Sequence, residues 1–189
     1  AFTPPERYEV VGGGYLSQKP EHMTSLRGNL LVGKDHPAIA LRGALDSLEA
    51  QILVAQVAFQ RLGLEAGVAE LGEALDYVKS VLRAEVVEDD LGEMPLFGLS
   101  PDQLRARSHH PRRYFGIGHF AASVADGEAV VLLNALRTRA REAELVAYQM
   151  FKPADGAAGD RLGLIRALNR LSSAFYLMMF KAKTNQYGP

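Results

Sequence analysis

Arg137 and Arg141 stand four residues apart, with Asn134 three residues before the first and Glu144 and Tyr148 three and seven after the second. On a helix these spacings put all five on one face. Planar arginine forks are preferred partners for phosphate or carboxylate oxygens, so the chemistry on offer is the holding of a polyanion. A later segment presents Arg166, Asn169, Arg170 and Ser173, whose amide and hydroxyl groups suit a base or a ribose. The competing reading is an ordinary solvated face, and spacing alone gives the two equal standing. A further stripe, Arg42, Asp46 and Glu49, reads as a surface ion-pair face, each pair worth about 0–1 kcal/mol. Alternatively, Asp46 meets one of the arginines across an interface.

Several kinds of chemistry are excluded. There is no cysteine, which removes disulfides, thiolate metal sites and cysteine nucleophiles. The five histidines are scattered, with no HExxH and no helical Glu-x-x-His, so no protein-bound transition metal is expected. The net charge of −1 argues against nucleic acid, although seven arginines fall between Arg105 and Arg141, a cluster suited to a small polyanion. No apolar run is long enough for a membrane span and no signal-peptide pattern appears, so the expectation is a soluble cytoplasmic protein. Thr24-Ser25-Leu26-Arg27-Gly28-Asn29, followed by Lys34, mixes hydroxyls, glycine and cations that can wrap phosphate oxygens, although it is no Walker A loop. A solvated arm is the other reading.

Long amphipathic segments must position these groups. Residues 1–34 carry turn chemistry rather than periodicity and read as an extended arm. From Asp35, a candidate N-cap with Pro37 behind it, Leu41, Leu45, Leu48, Ile52 and Phe59 recur at helical spacing up to Gly63. A second helix is expected from Glu65 to Glu88, and a short one opens at Ser100-Pro101 and closes at His109-His110-Pro111. A Gly- and aromatic-rich loop follows, then helices over Asp126–Phe151 and Ala158–Lys183 joined by a short connection. On the first of these, Leu132, Leu136, Ala143, Val146 and Met150 are expected to face the core. No segment alternates convincingly over five residues, so no sheet is expected. The fold class is all-α, a five-helix bundle over 35–189 with the arm at 1–34.

The run Met23 to Val32 resembles the opening of the ethanolamine-utilisation corrinoid adenosyltransferases, as do Lys34-Asp35-His36-Pro37 and Arg42 to Ala50. The likeness continues through Gly98-Leu99-Ser100, Ser108-His109-His110-Pro111, Leu133 to Glu144, Ala167 to Ser173 and Met178-Met179. More distantly the same anchors resemble the propanediol-utilisation class, in which an Arg-x-x-x-Arg-x-x-Glu helix precedes an Asn-Arg-Leu-Ser helix. The order of the blocks over residues 22 to 183 is far more specific than any one of them. In one respect the chain departs. Some ethanolamine-class members carry a metal-linked His and cysteine cluster ahead of this region, and here the corresponding stretch offers only His22.

The resemblance implies a homotrimer with ATP and Mg²⁺ between subunits and a reduced corrinoid as the second substrate. A reductase would supply the electron, in the cytoplasm, associated or not with a bacterial microcompartment. Thr24, Ser25, Arg27, Gly28, Asn29 and Lys34 would wrap the triphosphate, and Arg137 and Arg141 would neutralise it. Glu144, Asn169 and Arg170 would hold nucleotide and Mg²⁺, and Asp46 would pair with Arg137 across the interface. Phe120, with Phe115 as second candidate, would displace the lower axial ligand of cobalt. Cob(I)alamin is itself a strong nucleophile, so the protein must align, shield and stabilise departing charge, which accounts for a site without a nucleophilic triad. A non-catalytic ATP- or corrinoid-binding sensor, or a purely structural bundle, are the rival readings.

Overall fold

The computed structural model describes Thr3 and residues 5–152 and 161–188 of the chain. Residues 158–160 of the last expected helix lie outside the described residues. Six α-helices follow four short strands: α1 Pro37–Arg61, α2 Glu65–Val87, α3 Pro101–His109, α4 Pro111–Phe115, α5 Glu128–Phe151 and α6 Leu162–Lys183.

Local chemistry sets the ends. Pro37 opens α1, but the N-cap is His36 rather than Asp35: its Nδ1 accepts the Ala38 N–H at 3.1 Å. Ser100 and Gln103 close a reciprocal capping box on α3. The stretch expected to be loop after His110 contains α4, because Pro111 starts a second helical turn as Pro101 started the first. Helix α5 begins two residues later than expected. Val124–Asp126 form a separate 3-10 turn, and Gly127, at φ 87°, breaks the path between them.

The long helices α1, α2, α5 and α6 form the bundle, α5 lying against both α1 and α6 while α3 covers α6. The core is aliphatic with few aromatics: Leu41, Leu45, Leu48, Ile52 and Phe59 of α1 meet Leu71 and Val78 of α2 and Leu168, Leu171 and Phe175 of α6. On α5 the buried row is Leu133, Leu136, Ala140, Ala143 and Ala147. Leu132, Val146 and Met150, expected in the core, are only half-buried. The polar stripe sits one residue beyond this buried row, and a step of 100° turns it out of the core and into the groove beside α6.

The helical bundle and its N-terminal arm are as expected, but the arm corrects the expectation of no sheet. It is a four-stranded sheet in the order β2-β1-β4-β3, from Tyr8–Val10 (β1), Tyr15–Leu16 (β2), Met23–Arg27 (β3) and Leu30–Gly33 (β4). Two to five residues per strand are too few to show alternation, and β3 is half-buried over most of its length. Strands β3 and β4 form a hairpin through Gly28 and Asn29, with Gly28 at φ 53°, where an L side chain is strained. Arg42 fastens this hairpin to the bundle. Its Nη1 donates to the Leu26 carbonyl at 2.7 Å, and its Nε and Nη2 donate to the Glu85 carboxylate at 2.6 and 3.3 Å. Glu85 is 5% exposed, so the expected surface stripe on α1 is, at Arg42, an inward structural tie.

Glu85→Ala strands the Arg42 guanidinium half out of water, and should cost about 3 kcal/mol in urea unfolding, in the range for breaking a buried pair.

Candidate functional site

Helices α5 and α6 run side by side, and between them lies a cleft of about 420 Å³ whose lining includes Arg137, Arg141, Glu144, Asn169, Ser173 and Tyr176. Three of the expected polar residues are linked by hydrogen bonds. Asn169 Nδ2 donates to Glu144 Oε1 at 3.0 Å, and Asn169 Oδ1 accepts from Arg170 Nη1 at 2.7 Å. A carboxylate on one side and a guanidinium on the other fix which way the amide points. Arg137 is braced within its own helix, Nε and Nη2 donating to Asn134 Oδ1 at 3.2 and 2.9 Å, with its guanidinium 5.8 Å from the Tyr176 ring centroid. Arg141 is exposed and has no hydrogen-bond or ion-pair partner among the described residues. It is a cation with its donors free in a cleft, which is what an incoming polyanion needs.

Aromatic groups surround the end of the cleft nearer the α5 N-terminus. The Tyr176 hydroxyl lies 3.3 Å from His119 Nδ1, accepts the Phe120 N–H at 3.3 Å and lies 3.4 Å from the Phe120 carbonyl. The Phe120 ring meets Phe180 edge-on at 5.3 Å, and Phe115, the second candidate, stacks against Phe180 at 5.1 Å. The Lys183 ammonium lies 4.2 Å from the Phe120 ring centroid and pairs with Asp126. Lys183, then the Ser123 N–H, hold the Asp126 carboxyl below its usual range. Tyr176 was missed by reading sequence. The signal was present, since 166, 169, 173 and 176 repeat the spacing of the α5 stripe.

Other expected residues are elsewhere. Arg170 is 7% exposed and faces a second cavity rather than the cleft with Arg141. Thr24 and Ser25 are half-buried in β3, Gly28 and Asn29 form the hairpin turn, and Lys34 is exposed beyond β4. Arg27 pairs with Glu88, both largely exposed. Asp46 is exposed on α1. Among the described residues no side-chain hydrogen bond or ion pair joins the arm or Asp46 to the α5 stripe. Nor does any group of three or more His, Asp or Glu among them stand close enough to hold a metal ion. None of their helices is long and apolar enough to cross a membrane.

The family model for cobalamin adenosyltransferase matches residues 14–182. The chain is 33% identical over 171 residues to the corrinoid adenosyltransferase EutT of Escherichia coli (strain K12), covering 90% of this chain and 62% of that protein. It is also 33% identical over 162 residues to the corrinoid adenosyltransferase EutT of Salmonella typhimurium (strain LT2), covering 86% and 59%. The chain thus spans about three-fifths of the length of these relatives. No solved structure gives a significant match.

Arg141→Ala should leave thermal stability unchanged and weaken binding of a polyphosphate probe, inorganic triphosphate, by about 2 kcal/mol in calorimetric titration, the scale of a charge-assisted contact. Asp126, its folded-state value lowered, contributes stability above the ordinary aspartate value and loses it as pH falls through the lowered one. Thermal unfolding of Asp126→Asn should therefore fall below that of the parent protein at neutral pH, the two converging in acid.

Proposed function

Because the chain belongs to the cobalamin adenosyltransferase family, we propose that it transfers the 5′-deoxyadenosyl group of ATP to the cobalt of a reduced corrinoid. The observation that carries this reading is the convergence of a free Arg141, a braced Arg137 and the Glu144–Asn169 pair in one cleft, with an aromatic cluster at its end. The relatives named above, called corrinoid adenosyltransferases, support it.

In this reading the cobalt(I) electron pair attacks C5′ of ATP. A cobalt–carbon bond forms, the C5′–O bond breaks, and triphosphate leaves with that bond's electrons. No side chain takes part covalently, and the protein acts by alignment and by fields fixed beforehand. Arg137 and Arg141 meet the charge that grows on the leaving triphosphate. Asn169, unable to turn, and Glu144 orient the nucleotide. Among the described residues Glu144 is the one carboxylate in the cleft lining, and it would hold a Mg²⁺ carried by the phosphates. Phe120, pinned through both its backbone groups and its ring, is the aromatic proposed to displace the lower ligand of cobalt.

The arm residues Thr24, Ser25, Arg27, Gly28, Asn29 and Lys34 complete the site from a neighbouring copy, as Asp46 completes Arg137. The separation of arm and stripe within one chain supports this, and so do the apolar side chains that α1 leaves exposed, Leu53, Val54 and Val57, at 51%, 54% and 67%. A trimer with one site per interface is the arrangement proposed. Contact of Arg27 with phosphate requires release of Glu88. That pair is solvent-exposed and screened, so the release is easy. Residues 1–34 then act as arm and nucleotide loop, residues 35–189 as the bundle, in a cytoplasmic enzyme served by a separate reductase.

Anaerobic incubation with ATP and chemically reduced cobalamin should yield light-sensitive adenosylcobalamin and inorganic triphosphate. Binding of both ligands without product would leave a sensor. Phe120→Ala should lower kcat by about tenfold or more while the Kd for ATP moves less than about twofold, since it removes a group from the cobalt side alone.

A further inference from the structure

Helix α6 has a second cationic flank, turned away from the cleft. Arg166 and Arg170, one turn apart, line a cavity of about 240 Å³ closed by Tyr77, the 91–94 segment and Pro101 at the start of α3. Arg170 is 7% exposed. Its Nη1 is taken by Asn169 Oδ1, its Nη2 stands 4.0 Å from Asp102 Oδ1, and its buried Nε has no partner among the described residues. Asp102 is already engaged by Arg166 at 3.2 Å, and it is 81% exposed, so solvent screens what it offers. Burial, followed by the like charges of Arg105 and Arg166, pulls the Arg170 guanidinium below its usual value. Glu93 also lines the cavity but is exposed.

Two guanidiniums, Arg166 and Arg170, thus share one solvated carboxylate at the positive end of a capped helix, and Arg105 adds a like charge beside Arg170. A guanidinium held out of water without full compensation is costly, and an oxyanion in the cavity would give Arg170 Nη2 an acceptor and the cationic pair the missing charge. We propose that this cavity is a binding site for a phosphate-class oxyanion, separate from the α5–α6 cleft. Its size suits one phosphate group with its waters rather than a whole nucleotide. A groove lined by Glu144, Arg166, Asn169 and Arg170 shares residues with both, so the oxyanion is either free in solution or the far end of a phosphate chain lying across α6. Either way it acts on the guanidinium that holds Asn169 Oδ1, and through it on the amide facing Glu144. The inference does not require the transfer reaction.

The test is a titration of inorganic phosphate at constant ionic strength, followed by thermal unfolding and by phosphorus-31 line broadening. Saturable binding is expected, weakened about tenfold or more in Arg166→Gln and unchanged in Lys79→Gln, which removes an exposed cation outside both linings. Arg166 is half-exposed, so its variant keeps the fold, and its unfolding without phosphate controls for this. Stabilisation that never saturates, or that falls with Arg141→Ala and not with Arg166→Gln, overturns the proposal. A second arm adds ATP. Displacement of the Arg166-dependent phosphate supports a nucleotide's terminal phosphate as the occupant, whereas independent binding supports a free oxyanion.

Discussion

The close approach of α5 and α6 is the constraint on which the cleft depends. In its C-terminal half the buried row of α5 is alanine at 140, 143 and 147, and α6 answers with Ala167 and Ala174. Small side chains let two helices pack closely, and only then does a glutamate bordering one buried row reach an asparagine bordering the other at 3.0 Å. Leucine at those alanines would wedge the helices apart and break the polar link before it touched any charged group. The site is therefore shaped by its least reactive residues.

The polar residues of this groove are graded from braced to free. Asn169 is held on both sides, Arg137 by its own helix and an aromatic face, and Arg141 by nothing among the described residues. The aromatic end follows the same logic, with Phe120 gripped through backbone, ring and the Lys183 ammonium. Groups that must keep a fixed geometry are those whose hydrogen-bonding capacity is already spent, whereas the group available to a ligand has its donors open.

Much of this was legible in the sequence. Helical periodicity located the four long helices, and the spacing of Arg137, Arg141 and Glu144 put them on one face, because both follow from the geometry of a single helix. The Glu144–Asn169 contact is not local, and the pairing of motifs on successive helices only hinted at it. What escaped had physical reasons. The sheet of the arm is made of strands too short to alternate, and its register rests on a Gly28 turn and on backbone pairing that no side-chain pattern records. Arg42 looked like a surface ion pair because its partner, Glu85, is 43 residues away on another helix. Tyr176 went unassigned because an uncharged residue does not stand out in a polar stripe, although its hydroxyl is the hub of the aromatic cluster.

The hairpin fastened by Arg42 has a thermodynamic consequence of its own. Ordering a free chain costs about 1–2 kcal/mol of backbone entropy for each residue fixed. In this arm β3 and β4 are already paired and their turn already formed, so most of that cost is met when the protein folds. A ligand meeting the hairpin need only reorient exposed side chains such as Arg27, Asn29 and Lys34. Glu85, which touches no part of the cleft, thus governs how much of any binding energy is left over as affinity.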